Sequence, residues 1–267
     1  MPESKTPLRN RYEVLILTIF RNHYKRGVGD FEFERSELEM VAEQLGVRIP
    51  KNLGDLIYSF RYRSALPEEI LATETRGKEW IIEPAGRAKY RFRLAKVSRI
   101  IPREDLVATK IPDGTPEIIT AYALSDEQAL LAKVRYNRLV DIFLGITTYS
   151  LQNHMRTTVR GLGQIEIDEV YVGVNKNGQQ FVIPVQAKGG SDQLAAVQTS
   201  QDVACCREKY PALSCRPISA QFMPDGVIAM FELTLQRGEV KVVEERHYRL
   251  VPSSEIADED LQRYSSR

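Results

Sequence analysis

The run Gln164-Ile165-Glu166-Ile167-Asp168-Glu169, followed after a Lys176-Asn177-Gly178 turn by Pro184-Val185-Gln186-Ala187-Lys188, restricts the architecture more than any other part of the chain. In a strand, residues two apart share a face, so Glu166 and Asp168 point one way, and Gln186 and Lys188 likewise point together. A three-residue loop 176–178, with Gly178 in the left-handed position, pairs Asp168 with Gln186 and Glu166 with Lys188. The opposite face then carries Ile165, Ile167 and Tyr171 against Phe181, Ile183, Val185 and Ala187, and Glu169 is its one misfit. A two-residue Asn-Gly turn shifts every pair by one, sets Ile167 opposite Lys188 and mixes both faces, so the first register is favoured.

Two acids, an amide and a lysine on one half-buried sheet face need a shared ligand. A divalent, oxygen-loving cation is such a ligand: the Asp168 and Glu166 carboxylates and the Gln186 carbonyl oxygen are candidate Mg²⁺ ligands. Lys188 is then placed to orient or help deprotonate an attacking water and to offset charge growing on phosphorus. The competing reading is a surface ion pair of Glu166 with Lys188, worth at most about 1 kcal/mol.

At 267 residues, 43% hydrophobic and 27% charged, the chain can bury one large core or two small ones, which excludes fibrous and wholly disordered states. The net charge of +1 hides an uneven distribution. From Arg48 to Arg103 thirteen basic residues stand against six acidic ones, interleaved with apolar residues, a pattern that points to a polyanionic partner. Apolar residues at 14–20 predict a buried helix over 11–25, and Ser36 with Glu39 reads as a capping box opening a helix over 37–45 that Gly46 stops. Leu53, Ile57 and Phe60 lie on one face of a helix from Lys51 to Ser64, and Trp80–Glu83 with Lys89–Leu94 read as a hairpin around Pro84-Ala85-Gly86.

Helix, helix-turn-helix and basic hairpin in this order resemble a winged helix over about residues 8–97. The resemblance implies that the helix holding Lys51, Asn52, Arg61 and Arg63 enters the major groove of duplex DNA, while Lys78, Arg87, Lys89 and Arg91 on or beside the wing meet phosphates or the minor groove.

Repeated prolines and Asp113-Gly114 mark 98–125 as a linker with one strand, Ile118 to Leu124. A long helical region is expected from Ser125 to about Val159, interrupted near Gly145. After it come strands at 164–174 and 179–187, a helix from Ser191 to before Pro211, strands at 215–222, 227–236 and 240–251, and a polar tail, 253–267. The strand acid, the hairpin and Gln-x-Lys, with a helix before and after, are similar to the PD-(D/E)XK, or restriction-endonuclease-like, nuclease superfamily over about 126–251. The similarity is closest to the Gln-x-Lys variant of Mrr-type nucleases. It implies an α+β winged helix (1–97) joined by the linker to an α/β nuclease domain (126–252) with a mixed central sheet flanked by helices. Asp168, Gln186 and Lys188 match the family's motif. Gln186 in place of the commoner acid removes a charge, and Ile167 stands where the family has proline, which puts weight on Glu166 as a second negative ligand. An acid from the preceding helix often joins such sites, with Asp141 and Glu127 as candidates.

The implied function is Mg²⁺-dependent, sequence-specific hydrolysis of duplex DNA by a homodimer, in the setting of a type II restriction enzyme. The alternatives are a non-enzymatic winged-helix regulator and a nuclease of transposition, repair or modification-dependent restriction. His154 and Arg156, just before the acidic strand, read either as a helix-surface pair or as phosphate contacts. Gln193, Gln198 and Gln201 read as a solvated helix face or as readers of base edges. Cys205, Cys206 and Cys215 have no C-x-x-C spacing, and His23, His154 and His247 are far apart, so neither a zinc cluster nor a disulfide framework is indicated. The longest apolar run, Val14–Phe20, is far shorter than the roughly 20 residues of a membrane span, and the first residues have no apolar signal core, so the expected location is cytoplasmic.

Overall fold

The computed structural model describes residues 11–48, 53–62, 64–96, 99–122, 127–189, 194–223 and 226–265. Contacts divide the chain into two units, Met1–Ser98 with Arg160–Gly163, and Arg99–Val159 with Gln164–Arg267. Both mix helices with sheet, and among the described residues no helix is long and apolar enough to cross a membrane.

The first unit runs α1 (Arg11–His23), β1 (Asp30–Glu34), α2 (Arg35–Gln44), α3 (Leu53–Tyr62), α4 (Glu68–Leu71), β2 (Glu79–Gly86) and β3 (Lys89–Ala95), with sheet order β1-β3-β2. Its core gathers the apolar stripes of three helices (Leu15, Ile16, Ile19; Leu38, Val41; Leu56, Ile57, Phe60) beneath Phe33, Trp80, Ile82 and Phe92. Phe20 sets its ring edge-on to both Trp80 and Phe92, with centroids 5.2 Å from each. Two details depart from the sequence reading. α2 starts at Arg35, because Glu34 is its N-cap and the Glu37 carboxylate accepts the Glu34 N–H at 2.7 Å, in place of a Ser36–Glu39 box. The chain between α1 and α2 also forms a strand, β1, which pairs with β3 along its whole length.

The second unit contains β4 (Arg99–Ile100), β5 (Thr109–Pro112), α5 (Glu117–Tyr122), α6 (Glu127–Tyr136), α7 (Leu139–Leu144), β6 (Thr147–Val159), β7 (Gly163–Val174) and β8 (Gln180–Lys188). It continues with β9 (Leu194–Ala195), α8 (Ala196–Lys209), β10 (Ser214–Cys215), β11 (Ile218–Phe222), β12 (Val227–Gln236), β13 (Glu239–Val251), a 3-10 turn Ser253–Glu255 and α9 (Asp258–Ser265). The main sheet is mixed, in the order β5-β13-β12-β11-β8-β7-β6, with β10 also on β8. β8 pairs antiparallel with β7 and parallel with β11. One sheet face (Tyr171, Phe181, Ile183, Val185, Ala187, Ile218, Ala220) packs on Leu130, Leu131, Val134 and Leu139 of α6 and α7. A separate buried cluster joins Ile100 and Leu194 to Ala229, Phe231 and Leu233 of β12.

Four expectations for this region are corrected. Residues 99–122 are part of the folded unit: β5 pairs with β13, and Asn137 of the α6–α7 turn holds the 113–115 loop through Gly114 N–H (2.7 Å) and the Thr115 hydroxyl (2.9 Å). Ile118 begins no strand, because Pro116 accepts the first helical N–H bonds from Ile119 and Thr120 and opens α5; positions 123–126 lie outside the described residues. The helical region ends at Leu144. Gly145 caps α7 in the left-handed conformation, and Asp141 accepts the N–H (2.7 Å) and hydroxyl (3.0 Å) of Thr148, turning the chain into β6, whose Thr147, Thr148, Tyr149 and Thr157, Thr158, Val159 suit a pleat. Residues 253–265 are likewise docked, since Tyr264 accepts the Lys110 N–H (3.0 Å) and Asp260 binds the Lys110 ammonium (2.8 Å).

Candidate active site

The β7–β8 ladder runs from Glu169↔Val185 to Val174↔Gln180, the register the spacing predicts. Its loop is closed by Asn175 and Gln179, with Gly178 left-handed at φ 79° and the Asn175 side chain accepting the N–H groups of Asn177 and Gln179, both at 3.0 Å. Glu169, out of pattern on the apolar face, is fully buried; its Oε1 accepts from Arg135 Nε of α6 (2.8 Å) and the Ser150 hydroxyl of β6 (2.6 Å), while its Oε2 is buried without a hydrogen-bond partner.

Past Glu169 side chains take over from the ladder. The Ala187 N–H donates to Asp168 Oδ2 at 2.8 Å, and Gln186 Nε2 donates to the Glu166 carbonyl at 3.2 Å. Two strands joined by side chains at this end leave polar groups clustered at the open end of the hairpin, opposite its turn. Burial raises the Asp168 carboxyl above its ordinary range; the Ala187 N–H and Lys188 oppose the shift, and Glu166 and Glu127 add to it. Lys188 is nearly buried, with its ammonium 4.0 Å from a Glu127 carboxylate oxygen. Glu127 is therefore the helix acid that reaches the lysine, whereas Asp141 is spent on Thr148 and on Arg138 (2.8 Å).

Glu166 departs from the expected arrangement. Its half-exposed carboxylate is held by Arg156 Nε (3.2 Å) and His154 Nδ1 (3.5 Å), both on the strand β6, so these two residues are not a helix-surface pair. Gln186 is 2% exposed, and its Nε2 also donates to both oxygens of Asp202, at 3.1 Å each. Asp202 sits on α8 and is itself 2% exposed, with burial driving its carboxyl well above the usual range. Sequence reasoning missed it; the signal was an acid three and four residues before Cys205 and Cys206, on a buried helix face. Gln201 on the same helix is buried and Gln198 partly so, neither on a solvated face; Gln193 lies outside the described residues.

Gln186 Oε1 is buried without a hydrogen-bond partner. Such an orphan costs about 1–3 kcal/mol, which a cation would offset. Among the described residues no three His, Cys, Asp or Glu side chains gather as a cation cage. The donor set that fits a hard cation is thus mixed, a carboxylate from Asp168 and the amide oxygen of Gln186, with Glu127 the nearest further acid to Lys188.

In the first unit, Lys51, Asn52 and Arg63 lie outside the described residues, and Arg61 is half-buried in the last turn of α3. The basic hairpin is not a bare cationic surface. Antiparallel pairing sets Glu32 opposite Arg91 and Glu34 opposite Lys89, and each forms an ion pair. Arg93 binds Glu83 at 3.0 Å. Lys78 and Arg87 are exposed and make no ion pair with a described residue. No protein-family model, curated protein or solved structure matches the chain, so its chemistry is read from this geometry alone.

Proposed function

We propose that the second unit is a PD-(D/E)XK-type nuclease domain that hydrolyses phosphodiester bonds in duplex DNA with Mg²⁺, in a sequence-specific, type II restriction setting. The observation that carries the reading is the buried, unpartnered Gln186 Oε1 beside Asp168 and Lys188 at the end of the β7–β8 hairpin. Asp168 and Gln186 would hold the ion, with Glu127 in reach. When bound, it supplies Lewis-acid stabilisation of the phosphoryl oxygens and a more acidic water. Lys188, its position set by Glu127, orients the attacking water and offsets charge developing on phosphorus. Water adds to phosphorus, the bond to one bridging oxygen breaks, and a phosphomonoester and an alcohol result.

The order helix, strand, three helices (the last a single turn, α4), strand, strand and the sheet order β1-β3-β2 support a winged helix in the first unit, with duplex DNA as its ligand. The paired cations of β3 shift the expected contact from the strand body to Lys78 and to Arg87 at the wing tip. Incubating the full chain with unmodified plasmid and Mg²⁺, and resolving the products on a gel, tests the function. Discrete fragments from the wild type and none from Lys188→Ala are expected, with DNA affinity of the variant unchanged within a few-fold. Equal cutting by the variant removes Lys188 and the site built around it, whereas intact plasmid with the wild type at saturating DNA binding leaves the non-enzymatic regulator as the reading.

A further inference from the structure

We infer that Asp202 is a positioning residue that fixes which end of the Gln186 amide faces the cation site. The inference rests on reading Gln186 as a cation ligand. A glutamine amide is nearly symmetric in shape, and half a turn about its last bond exchanges a ligand oxygen for an NH₂ group that repels a cation. Here the donor end is held by three acceptors, the two Asp202 oxygens at 3.1 Å and the Glu166 carbonyl at 3.2 Å. The carbonyl can only accept, so this orientation does not depend on the charge carried by Asp202. With Nε2 held, Oε1 is turned to the other side, where it is buried and unpartnered. Asp202 makes no side-chain hydrogen bond to any other described residue, although Asp168, Cys215 and Lys188 are close enough to act on its charge; burying an acid is costly, and both hydrogen bonds it accepts come from Gln186.

The test measures Mn²⁺ binding by the full chain without DNA, from the loss of the free-ion paramagnetic resonance signal, so it needs no turnover. Asp202→Asn places an NH₂ group against Gln186 Nε2, and a 10–100-fold weaker Mn²⁺ affinity is expected. In a Gln186→Glu background the sign reverses. There Asp202 faces a second carboxylate, and Asp202→Asn supplies a donor to Glu, so the double variant is expected to bind Mn²⁺ more tightly than Gln186→Glu alone. A merely structural Asp202 weakens binding in both backgrounds or in neither, and either result overturns the inference. If Asp202→Asn alone fails to fold, judged by far-ultraviolet circular dichroism, the Glu-background pair decides: tighter binding supports the role, and equal or weaker binding removes it. Wild-type protein that binds no Mn²⁺ removes the cation site and this inference together, whereas wild-type binding with no sign reversal removes only the role of Asp202.

Discussion

Glu127, in the first turn of α6, stands 4.0 Å from the Lys188 ammonium at the end of β8. A carboxylate at that distance keeps the lysine in one place and contributes negative charge beside Asp168. Glu127→Gln is therefore expected to slow plasmid cleavage by about 10²–10⁴-fold, the range of a lost acid–base or water-orienting group. Asp141→Asn, which removes a carboxylate bonded, among the described residues, to Thr148 and Arg138, is expected to cut within a few-fold of wild type and to melt lower. Single-turnover rates at saturating Mg²⁺ separate the two, and a slow Asp141→Asn with a normal Glu127→Gln would reverse the assignment.

The Glu169–Arg135 pair supports the hairpin from its other face. Arg135→Ala leaves a fully buried carboxylate with only the Ser150 hydroxyl, and a loss of about 3–5 kcal/mol in urea unfolding is expected. Glu169→Gln keeps an acceptor and shape, and should cost about 1.5–3 kcal/mol. Equal, small losses would mean that Arg135 is satisfied by water.

If the hairpin of the first unit meets phosphates, Glu32 and Glu34 compete with them for Arg91 and Lys89. Glu32→Gln with Glu34→Gln is expected to tighten duplex binding several-fold and to steepen the fall of log affinity with log salt by about 1–2 units, as one or two further cations become available. An unchanged slope would place β3 away from the DNA.

Burial pushes the Cys205 thiol up to about 11 and the Tyr248 hydroxyl up to about 12. Each folded value lies above its unfolded one, so the contribution to stability is complete below the unfolded pKa, about 9 for the thiol, and is lost as pH rises through the folded value. Melting temperature should thus fall between pH 9 and 12, less steeply for Cys205→Ala. At neutral pH a thiol reagent should modify Cys215, which is partly exposed, well before buried Cys205 and Cys206, with three thiols reacting after denaturation.

One chain carries one candidate site, while the strands of a duplex run in opposite directions. Double-strand cutting is therefore expected from a homodimer whose two-fold axis coincides with that of a palindromic target. Sedimentation of the Mg²⁺-free complex should give two chains per duplex. One chain per duplex with first-order double-strand cutting would indicate a monomer acting twice.

The β7–β8 hairpin was legible because one face is buried and alternates with a single misfit, Glu169, so that of the two loop lengths an Asn-Gly turn allows only one keeps the faces unmixed. β6 was not, since most of its residues are exposed and leave no alternation, and its threonines and tyrosine were outweighed by the helical pattern before them. The charge of the basic block was counted along the chain, whereas the acids that neutralise Arg91 and Lys89 come from β1, some 59 residues away in the Glu32–Arg91 pair. Asp168, Gln186 and Lys188 announced themselves by spacing on adjoining strands. Asp202 did not, because an acid on a helix reads as solvent-facing until the helix is laid on the sheet, and the choice between Glu127 and Asp141 needed the bend at Gly145.

The pairing of β5 with β13 joins Thr109–Pro112 to Tyr248–Val251. On a ribosome adding about 5–20 residues per second, β5 waits roughly 7–30 s for its partner, while the three strands of the first unit are all available once Ala95 has emerged. During that interval the half-made sheet offers unpaired backbone to other nascent chains. Slow codons after β5 are accordingly expected to lower the cellular yield more than slow codons before it, and a chaperone that shields that edge to restore it.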